Sequence, residues 1–391
     1  MKEIIIHTEK DKQIVMLVEN GKLIERYEEE NNNKRLEGNI YLGIVKNVLP
    51  GMQACFVDIG EKRNAFMHIR DIIPKKSSLT GNRDEDLNNY DIKDYCKTGK
   101  PVIVQVKRDK TDKKGDRIST HINIVGKYVV YIPNSNIVTV SQKITNKEER
   151  EKLINFVKPL LGKDEGLIIR TIGARFDKNV IKNDIDLQRK KWKMIQEKAE
   201  GKNVPTKLFE EDGIIEKVLL DLSEDNIEKV IVDDEGTKIM VQKILNNLQS
   251  KLFIEYSEND VRNKYNLRKE LKEAEERKIW LKCGGFITID KTEALIAVDV
   301  NSGKFTGNRN LEKTVYQVNK EATIEIAKQL RLKDLGGIII IDYIDMKDQI
   351  NRKNILQLLQ NELMKDRAKT QIIGFTKLDL LEMTRKHIFS K

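Results

Sequence analysis

Two aspartates and one asparagine have the types and the spacing that chemistry at a phosphate would need. Asp299 and Asn301 stand two residues apart at the end of an alternating run, residues 295–300, so in a strand both side chains point to one face. Asp342 directly follows residues 338–341, a β-branched run typical of a strand buried on both faces. Carboxylate and amide oxygens are ligands that Mg²⁺ takes. The pattern fits a magnesium site for phosphodiester chemistry; aspartates that close turns after strands are the alternative, and the more common case.

A helical pattern between the two runs would position these side chains. Apolar residues recur at three- and four-residue intervals from Val315 to Leu330, which indicates an amphipathic helix. Gly336-Gly337 ends that pattern, and Lys333 stands in its last turn. A strand, a helix and a second strand in this order favour parallel pairing of the strands. We therefore predict a βαβ-like unit that brings Asp299, Asn301 and Asp342 together.

The composition indicates a polyanionic partner. Lysine and arginine total 72 against 62 aspartates and glutamates, so the formal net charge is +10. Such an excess favours nucleic acid first and an anionic membrane second, although a mixed-charge surface alone could account for it. The sequence has no apolar run of the ~20 residues that span a bilayer, and from the charged residues around its first short strand we expect no signal peptide. Its three cysteines are scattered, so we expect no zinc site and a cytoplasmic, reduced protein.

Short strands dominate the first third of the chain. Residues 1–36 predict a three-stranded meander with a tight turn at Asn20-Gly21, which is too small to bury a core alone. Residues 37–121 contain short β-rich runs at even spacing, which favour a small barrel. Further on, a strand near residues 126–134, a helix over 147–161, a strand from Gly166 and a charged helix over 184–202 are predicted.

Several motifs in the last quarter of the chain resemble those of the bacterial ribonuclease E/G family. They are Asp299-Val-Asn-Ser-Gly, Asn319-Lys-Glu-Ala, Ile341-Asp-Tyr-Ile-Asp-Met and Leu381-Glu-Met-Thr-Arg-Lys. The resemblance implies that Asp299 and Asp342 hold a catalytic Mg²⁺, that Asn301 supports them, and that Asp345 is an outer partner. The choice between Mg²⁺ and Mn²⁺ stays open at this point.

The resemblance also assigns RNA-binding residues in the first half of the chain. It implies an OB-fold barrel in which Phe56, Phe66 and Lys114 bind RNA, although barrel core is the simpler interpretation for each phenylalanine. It further implies a pocket for the RNA 5′-monophosphate, with Arg170, Thr171 and the backbone near Val130 as ligands. An ordinary strand-end arginine is the alternative there, and the bulky segment 174–176 departs from the family pattern. His68 and His121 are expected to be structural.

The expected fold class is α+β with several domains. The resemblance implies that residues 1–36 and 216–281 form a discontinuous ribonuclease-H-like structural subdomain, with an OB-fold domain over 37–121 and a 5′-sensor region over 122–215 inserted in it. It also implies that residues 282–391 form an α/β DNase-I-like catalytic domain.

The function that follows from the resemblance is Mg²⁺-dependent endonucleolytic cleavage of single-stranded RNA. The substrates would be A/U-rich and preferably 5′-monophosphorylated, as in rRNA processing and mRNA decay, and the products would have 5′-phosphate and 3′-hydroxyl ends. A non-catalytic RNA-binding factor that uses the OB-fold is the alternative. The zinc-linking cysteine segment that can follow the Leu381 motif is not seen, so we expect a compact, ribonuclease G-like member; any homodimer would form without a zinc link.

Overall fold

Strands in four sheets and eight α-helices make up the computed structural model, which describes residues 1–30, 35–73, 90–110, 115–222, 226–304 and 311–388. The strands in these ranges are β1 (Lys2–Glu9), β2 (Lys12–Glu19), β3 (Lys22–Glu30), β4 (Ile40–Leu49), β5 (Ala54–Asp58), β6 (Ala65–His68), β7 (Pro101–Arg108), β8 (Arg117–Ser119), β9 (Ile124–Val125), β10 (Val129–Pro133), β11 (Val138–Val140), β12 (Glu165–Ile169), β13 (Thr206–Phe209), β14 (Ile227–Val232), β15 (Phe253–Tyr256), β16 (Lys278–Trp280), β17 (Phe286–Lys291), β18 (Leu295–Asn301), β19 (Gly337–Asp342), β20 (Thr370–Phe375) and β21 (Leu381–Arg385). The helices are α1 (Ile92–Tyr95), α2 (Lys147–Val157), α3 (Lys178–Ala199), α4 (Ile214–Leu222), α5 (Glu235–Asn247), α6 (Leu267–Glu273), α7 (Leu311–Leu332) and α8 (Gln349–Leu363).

The chain folds into two compact units. Residues 34–213 form one, which we call the central unit, and residues 1–33 with 214–391 form the other, the discontinuous unit. The four-part division predicted from the sequence is finer than this, and it stays a prediction.

The central unit begins with a closed barrel. Its strands run in the order β4-β5-β6-β8-β7, and β7 pairs back with β4 to close the ring of five. Alternate residues of the strands fill the interior, among them Cys55, Val57, Ala65 and Met67, all fully buried. The closed five-stranded barrel is consistent with the OB-like fold expected from the sequence.

A second sheet in the central unit, in the order β11-β12-β10-β9, packs against α2 and α3. The buried carboxylate of Asp184, on α3, accepts hydrogen bonds from the backbone N–H groups of Tyr128 and Val129 at the start of β10. This helix was predicted to begin at residue 184, but it begins at Lys178. The reason is the cap at Asp177, whose side chain accepts a hydrogen bond from the Asn179 N–H.

The discontinuous unit contains two sheets. The first, which we call the N-terminal sheet, has the order β15-β14-β1-β2-β3. The meander predicted for the first residues is present, and its turn at Asn20-Gly21 has positive φ at both residues, 51° and 75°. β14 pairs with β1 in parallel, and α4 and α5 help to bury the shared core. The meander thus obtains the partner that its size requires.

The second sheet of this unit, the C-terminal sheet, has the order β16-β17-β18-β19-β21-β20. β18 and β19 are parallel neighbours joined by α7, as the sequence predicted. Helices α7 and α8 cover one face, where Ile339 and Ile341 are fully buried. The prediction that β19 is buried on both faces is wrong: Ile338 is 52% exposed, because the helices cover only one side. We call the uncovered side the open face.

None of the helices in the described ranges has both the length and the apolar character needed to cross a membrane.

Candidate active site

Asp299, Asn301 and Asp342 lie together on the open face of the C-terminal sheet. Asp299 and Asp342 are direct register partners on the parallel strands β18 and β19. The side chain of Asn301 donates a hydrogen bond from Nδ2 to Oδ2 of Asp299, at 2.6 Å. Both aspartates are exposed, and Asn301 is half-buried. The alternation of β18 explains the arrangement, because its apolar residues Ile296, Val298 and Val300 all point into the core.

The electrostatics of the pair favour a bound cation. Burial raises the pKa of the Asp342 carboxyl above its ordinary value, and the negative charges of Asp299 and Asp345 raise it further. Within the described ranges, no lysine, arginine or histidine forms an ion pair with Asp299 or Asp342. The site therefore has hard oxygen donors, close like charges and access to solvent, all of which suit a divalent cation.

The segment that follows β19 is fastened to α7 by a buried asparagine. Asn319, fully buried, donates from Nδ2 to the carbonyl oxygen of Ile344 at 2.8 Å and accepts from the Ile344 N–H at 3.1 Å. Beside it, the hydroxyl groups of Thr323 and Tyr343 are hydrogen-bonded at 2.9 Å. These bonds fix the backbone between Asp342 and Asp345, so Asn319 acts on the site through its neighbours.

A different group of side chains is the tighter cluster. His7, Asp233 and Asp260 offer ligand atoms that lie within 4.8 Å of one another, near the end of β1. His7 Nδ1 lies 2.5 Å from Asp233 Oδ2, and Asp260 is ion-paired with Arg262 at 2.7 Å and with Arg268. Arginines already neutralise this cluster, so its geometry is that of a structural tie. The Asp299–Asp342 pair is the better candidate for a metal.

The barrel of the central unit presents two aromatic rings outward. Phe56 and Phe66 are register partners on β5 and β6, and their ring centres are 5.8 Å apart in an edge-to-face arrangement. Both are half-buried, while their strand neighbours fill the barrel. The alternative that these rings belong to the barrel core is therefore wrong. Lys114, predicted to act with them, lies outside the described residues.

A cavity of about 350 Å³ adjoins Phe66. Its other lining residues are His68, Arg70 and Arg117. Arg117 is ion-paired with Asp71 at 3.1 Å, and His68 Nδ1 accepts from the Arg70 N–H at 3.2 Å. His68 thus has the expected structural bond and also faces the cavity. His121 is bonded through Nε2 to the carbonyl group of Ile73, at 2.8 Å.

The predicted 5′-phosphate ligands Arg170 and Thr171 come directly after β12, an interior strand of the second sheet of the central unit. Arg170 follows β12, and its backbone N–H donates to the Tyr128 carbonyl oxygen, two residues before Val130 on β10. The guanidinium donates from Nη1 to the carbonyl oxygens of Gly126 and Lys127, at 2.8 and 3.2 Å. Thr171 Oγ1 donates to Ser141 Oγ at 2.9 Å. Arg170 therefore has a structural task, whatever else it binds.

Comparison with known proteins identifies the family. A model described as "Ribonuclease E/G family" matches residues 123–388. The chain belongs to the ribonuclease E/G family. Ribonuclease G of Salmonella typhimurium (strain SL1344) and that of Escherichia coli (strain K12) are each 36% identical to it over 388 residues, which cover 98% of this chain and 79% of the relative. Ribonuclease E of Nostoc sp. is 33% identical over 357 residues, 89% of this chain and 51% of that protein.

Some residues of this ribonuclease E/G chain that shape the site were not predicted as site residues. Asn319 stands within a family motif, but only the bonds to Ile344 reveal its task. Glu312, at the start of α7, accepts hydrogen bonds from the N–H groups of Lys347 and Asp348, both at 3.2 Å, and no spacing in the sequence indicates it. Arg70 and Arg117 approach one cavity from distant positions, which a linear pattern cannot show.

Proposed function

We propose that this chain is a Mg²⁺-dependent endoribonuclease that cleaves single-stranded RNA at the Asp299–Asp342 pair. Its membership in the ribonuclease E/G family makes it an endoribonuclease, a hydrolase that acts on RNA. The observation that carries the assignment of the site is the register of Asp299 with Asp342 on exposed strand ends, with Asn301 bonded to Asp299.

Asp299 and Asp342 would hold the metal, because they supply facing carboxylates with no cationic side chain paired to them in the described ranges. When bound, the ion would lower the pKa of a water and stabilise negative charge on the phosphate. Asn301 fixes the orientation of the Asp299 carboxylate through its Nδ2 hydrogen bond. Asp345 would bind water at the outer edge of the site, where the Asn319–Ile344 bonds hold its backbone.

The finer features of the proposal come from the family resemblance. Substrates would be A/U-rich RNAs with a 5′-monophosphate, in rRNA processing and mRNA decay in the cytoplasm, and products would have 5′-phosphate and 3′-hydroxyl ends. Phe56, Phe66 and Lys114 would bind the strand, and Arg170, Thr171 and Val130 its 5′ end. The N-terminal sheet would be ribonuclease-H-like and the C-terminal sheet DNase-I-like.

A gel assay on a short, unstructured, A/U-rich RNA with a 5′-monophosphate tests the proposal. Native protein should cut internally with Mg²⁺ and stop with EDTA. Asp299→Asn should lower the rate at least ~100-fold, as loss of a group that stabilises transition-state charge does. Asp290→Asn is the matched control, since Asp290 is an exposed carboxylate of the neighbouring strand that pairs with Arg277 instead. Equal losses in the two variants would overturn the assignment.

The alternative considered from the sequence is a factor that binds RNA without cutting it, and membership in the ribonuclease E/G family argues against it. Protein that binds the RNA in an electrophoretic shift but cuts with neither Mg²⁺ nor Mn²⁺ would support this alternative. Internal cleavage that requires Asp299 would exclude it.

A further inference from the structure

The open face of the C-terminal sheet carries an aromatic and cationic group beside the proposed active site. Trp280 on β16 and Phe286 on β17 are register partners with ring centres 5.3 Å apart. The ammonium nitrogen of Lys278 lies 4.3 Å from the centre of the Trp280 ring and 3.7 Å from that of Phe286. We call these three residues the platform.

Two rows of side chains connect the platform with the carboxylates. Pairing of β16, β17 and β18 places Trp280, Phe286 and Asn301 in one row. The next row runs from Lys278 through Thr288 and Asp299 to Asp342. Directly paired residues share a face, and strands lie about 4.8 Å apart, so Trp280 is about 10 Å from Asn301 across the sheet. A nucleotide close to the scissile phosphate reaches that far.

Packing within the sheet does not explain why the platform residues are exposed. Trp280 is 57% exposed on an edge strand, although an indole buries more area than almost any other side chain when it packs in a core. Lys278 forms no ion pair with a carboxylate of the described residues, and its ammonium is instead held over two rings. An exposed ring for stacking and a fixed cation for a phosphate are what single-stranded nucleic acid binds.

We propose that the platform is an RNA subsite in which one base near the cleavage position stacks on Trp280 while Lys278 pairs with the adjoining phosphate. The inference rests on the proposed ribonuclease activity of the same face. Stacking accepts any base, so the subsite contributes to affinity and to the position of the cut, and it does not select a sequence. Lys278 also offsets the repulsion that the acidic row exerts on an incoming phosphate.

Tryptophan fluorescence tests this directly, because the chain has two tryptophans and the other, Trp192, is buried in the central unit. The experiment uses full-length Trp192→Phe protein that also contains Asp299→Asn, titrated with a fluorescein-labelled, A/U-rich oligoribonucleotide with a 5′-monophosphate. Stacking should quench Trp280 emission with the same midpoint as binding measured by fluorescein anisotropy. Binding without any change in Trp280 emission would overturn the proposal, whether or not the native protein cleaves RNA.

Cleavage kinetics supply the second readout. Trp280→Ala should raise KM about tenfold, within the range for loss of one base–aromatic stack, with little change in kcat. Trp280→Phe should stay within about twofold of native, because a ring remains, and this variant separates stacking from misfolding. Phe253→Ala is the matched control, since Phe253 is also an exposed aromatic residue on an edge strand, that of the N-terminal sheet. A Trp280→Ala variant with native KM and an altered oligomeric state by light scattering would show that the platform covers protein instead, and would also overturn the proposal.

Discussion

At the scale of single residues, a metal would most change the energetic cost of ionising the Asp342 carboxyl. Its ionised form is disfavoured by burial and by the negative charges of Asp299 and Asp345. Without a cation, ionisation of Asp342 therefore works against folding at neutral pH. With a divalent cation bound, ionisation of Asp342 stabilises the folded protein instead, because the cation interacts favourably with each carboxylate.

Asp342→Asn should therefore raise the melting temperature of metal-free protein at neutral pH. A raised carboxyl pKa means that the stability contributed by this group is complete below the ordinary aspartate value, about 3.9, and is lost as the pH rises through the raised value. The variant's advantage should vanish near about pH 3, and it stays below about 1 kcal/mol because the side chain is exposed. Differential scanning fluorimetry in EDTA across pH measures it.

Added Mg²⁺ should then reverse the order of the two proteins. Native protein should gain melting temperature with Mg²⁺ concentration, and Asp342→Asn should not. The control is Asp290→Asn, whose carboxylate is already paired with Arg277. Identical Mg²⁺ responses of native protein and Asp342→Asn would contradict a metal site at this position.

The role of Arg170 is also a question about a single residue, and because Arg170 makes structural hydrogen bonds its test must compare two substrates. Arg170→Ala should slow cleavage of 5′-monophosphorylated RNA by about tenfold or more, since a guanidinium binds phosphate oxygens in a paired fashion. Cleavage of the same RNA with a 5′-hydroxyl should change little. Loss of the bonds to Gly126 and Lys127 affects both substrates alike, so only the difference between them reports on the 5′ end. Equal losses would reduce Arg170 to its structural task.

At the scale of elements, one buried arginine joins three parts of the C-terminal sheet region. Arg385, at the end of β21 and fully buried, is ion-paired with Asp366 and with Asp334, each at 2.7 Å. It also donates to the carbonyl group of Leu335, just before β19. The Leu381 motif that helped to identify the family thus includes an arginine whose bonds are structural.

Arg385→Met should lower the free energy of unfolding by about 3–5 kcal/mol, because it removes the guanidinium that is ion-paired with two buried carboxylates. Urea titration followed by circular dichroism measures the loss. Lys386→Met is the control, as the neighbouring lysine is exposed. A loss below about 1 kcal/mol would mean that water or another group takes the place of the guanidinium.

The period of the hydrophobic residues predicted helices and strands well where only one face of the element is covered by the core. The stripe from Val315 to Leu330 and the alternation of β18 gave the crossover and the juxtaposition of Asp299 with Asp342, since both follow from periods of 3.6 and 2. The same reasoning failed for β19, whose four isoleucines hide the fact that only one face is covered. It also missed Glu312, because a bond between distant segments leaves no periodic trace.

At the scale of the whole molecule, the two candidate sites lie in different units. The carboxylate pair lies in the discontinuous unit, and the Phe56–Phe66 pair with its cavity lies in the central unit. Both sets were predicted from the sequence through family motifs. The sequence could not supply the cavity, since Arg117 on β8 reaches Phe66 and Arg70 only through the pairing of β8 with β6.

Phe66→Ala should raise KM for RNA about tenfold and leave kcat nearly unchanged, because it removes binding that is uniform along the reaction. Asp299→Asn should instead lower kcat and leave KM nearly unchanged. Steady-state kinetics on one RNA at fixed ionic strength compare the two, since affinity for nucleic acid falls steeply with salt. The exposed Tyr95, also in the central unit, is the control position. A Phe66→Ala effect confined to kcat would place this ring outside substrate binding.

The parallel pairing of β18 with β19 has a consequence for biosynthesis. Asp299 and Asp342 are separated by 43 residues of chain (342 − 299), and they become neighbours only when α7 has formed and crossed back over the sheet. Such a contact forms slowly, because the intervening chain must lose its conformational entropy before the pairing of the strands can stabilise it. A nascent chain that has emerged only as far as Asn301 has one carboxylate and no partner for it. The pair proposed as the active site is thus absent from the nascent chain until β19 has been synthesised and has paired with β18.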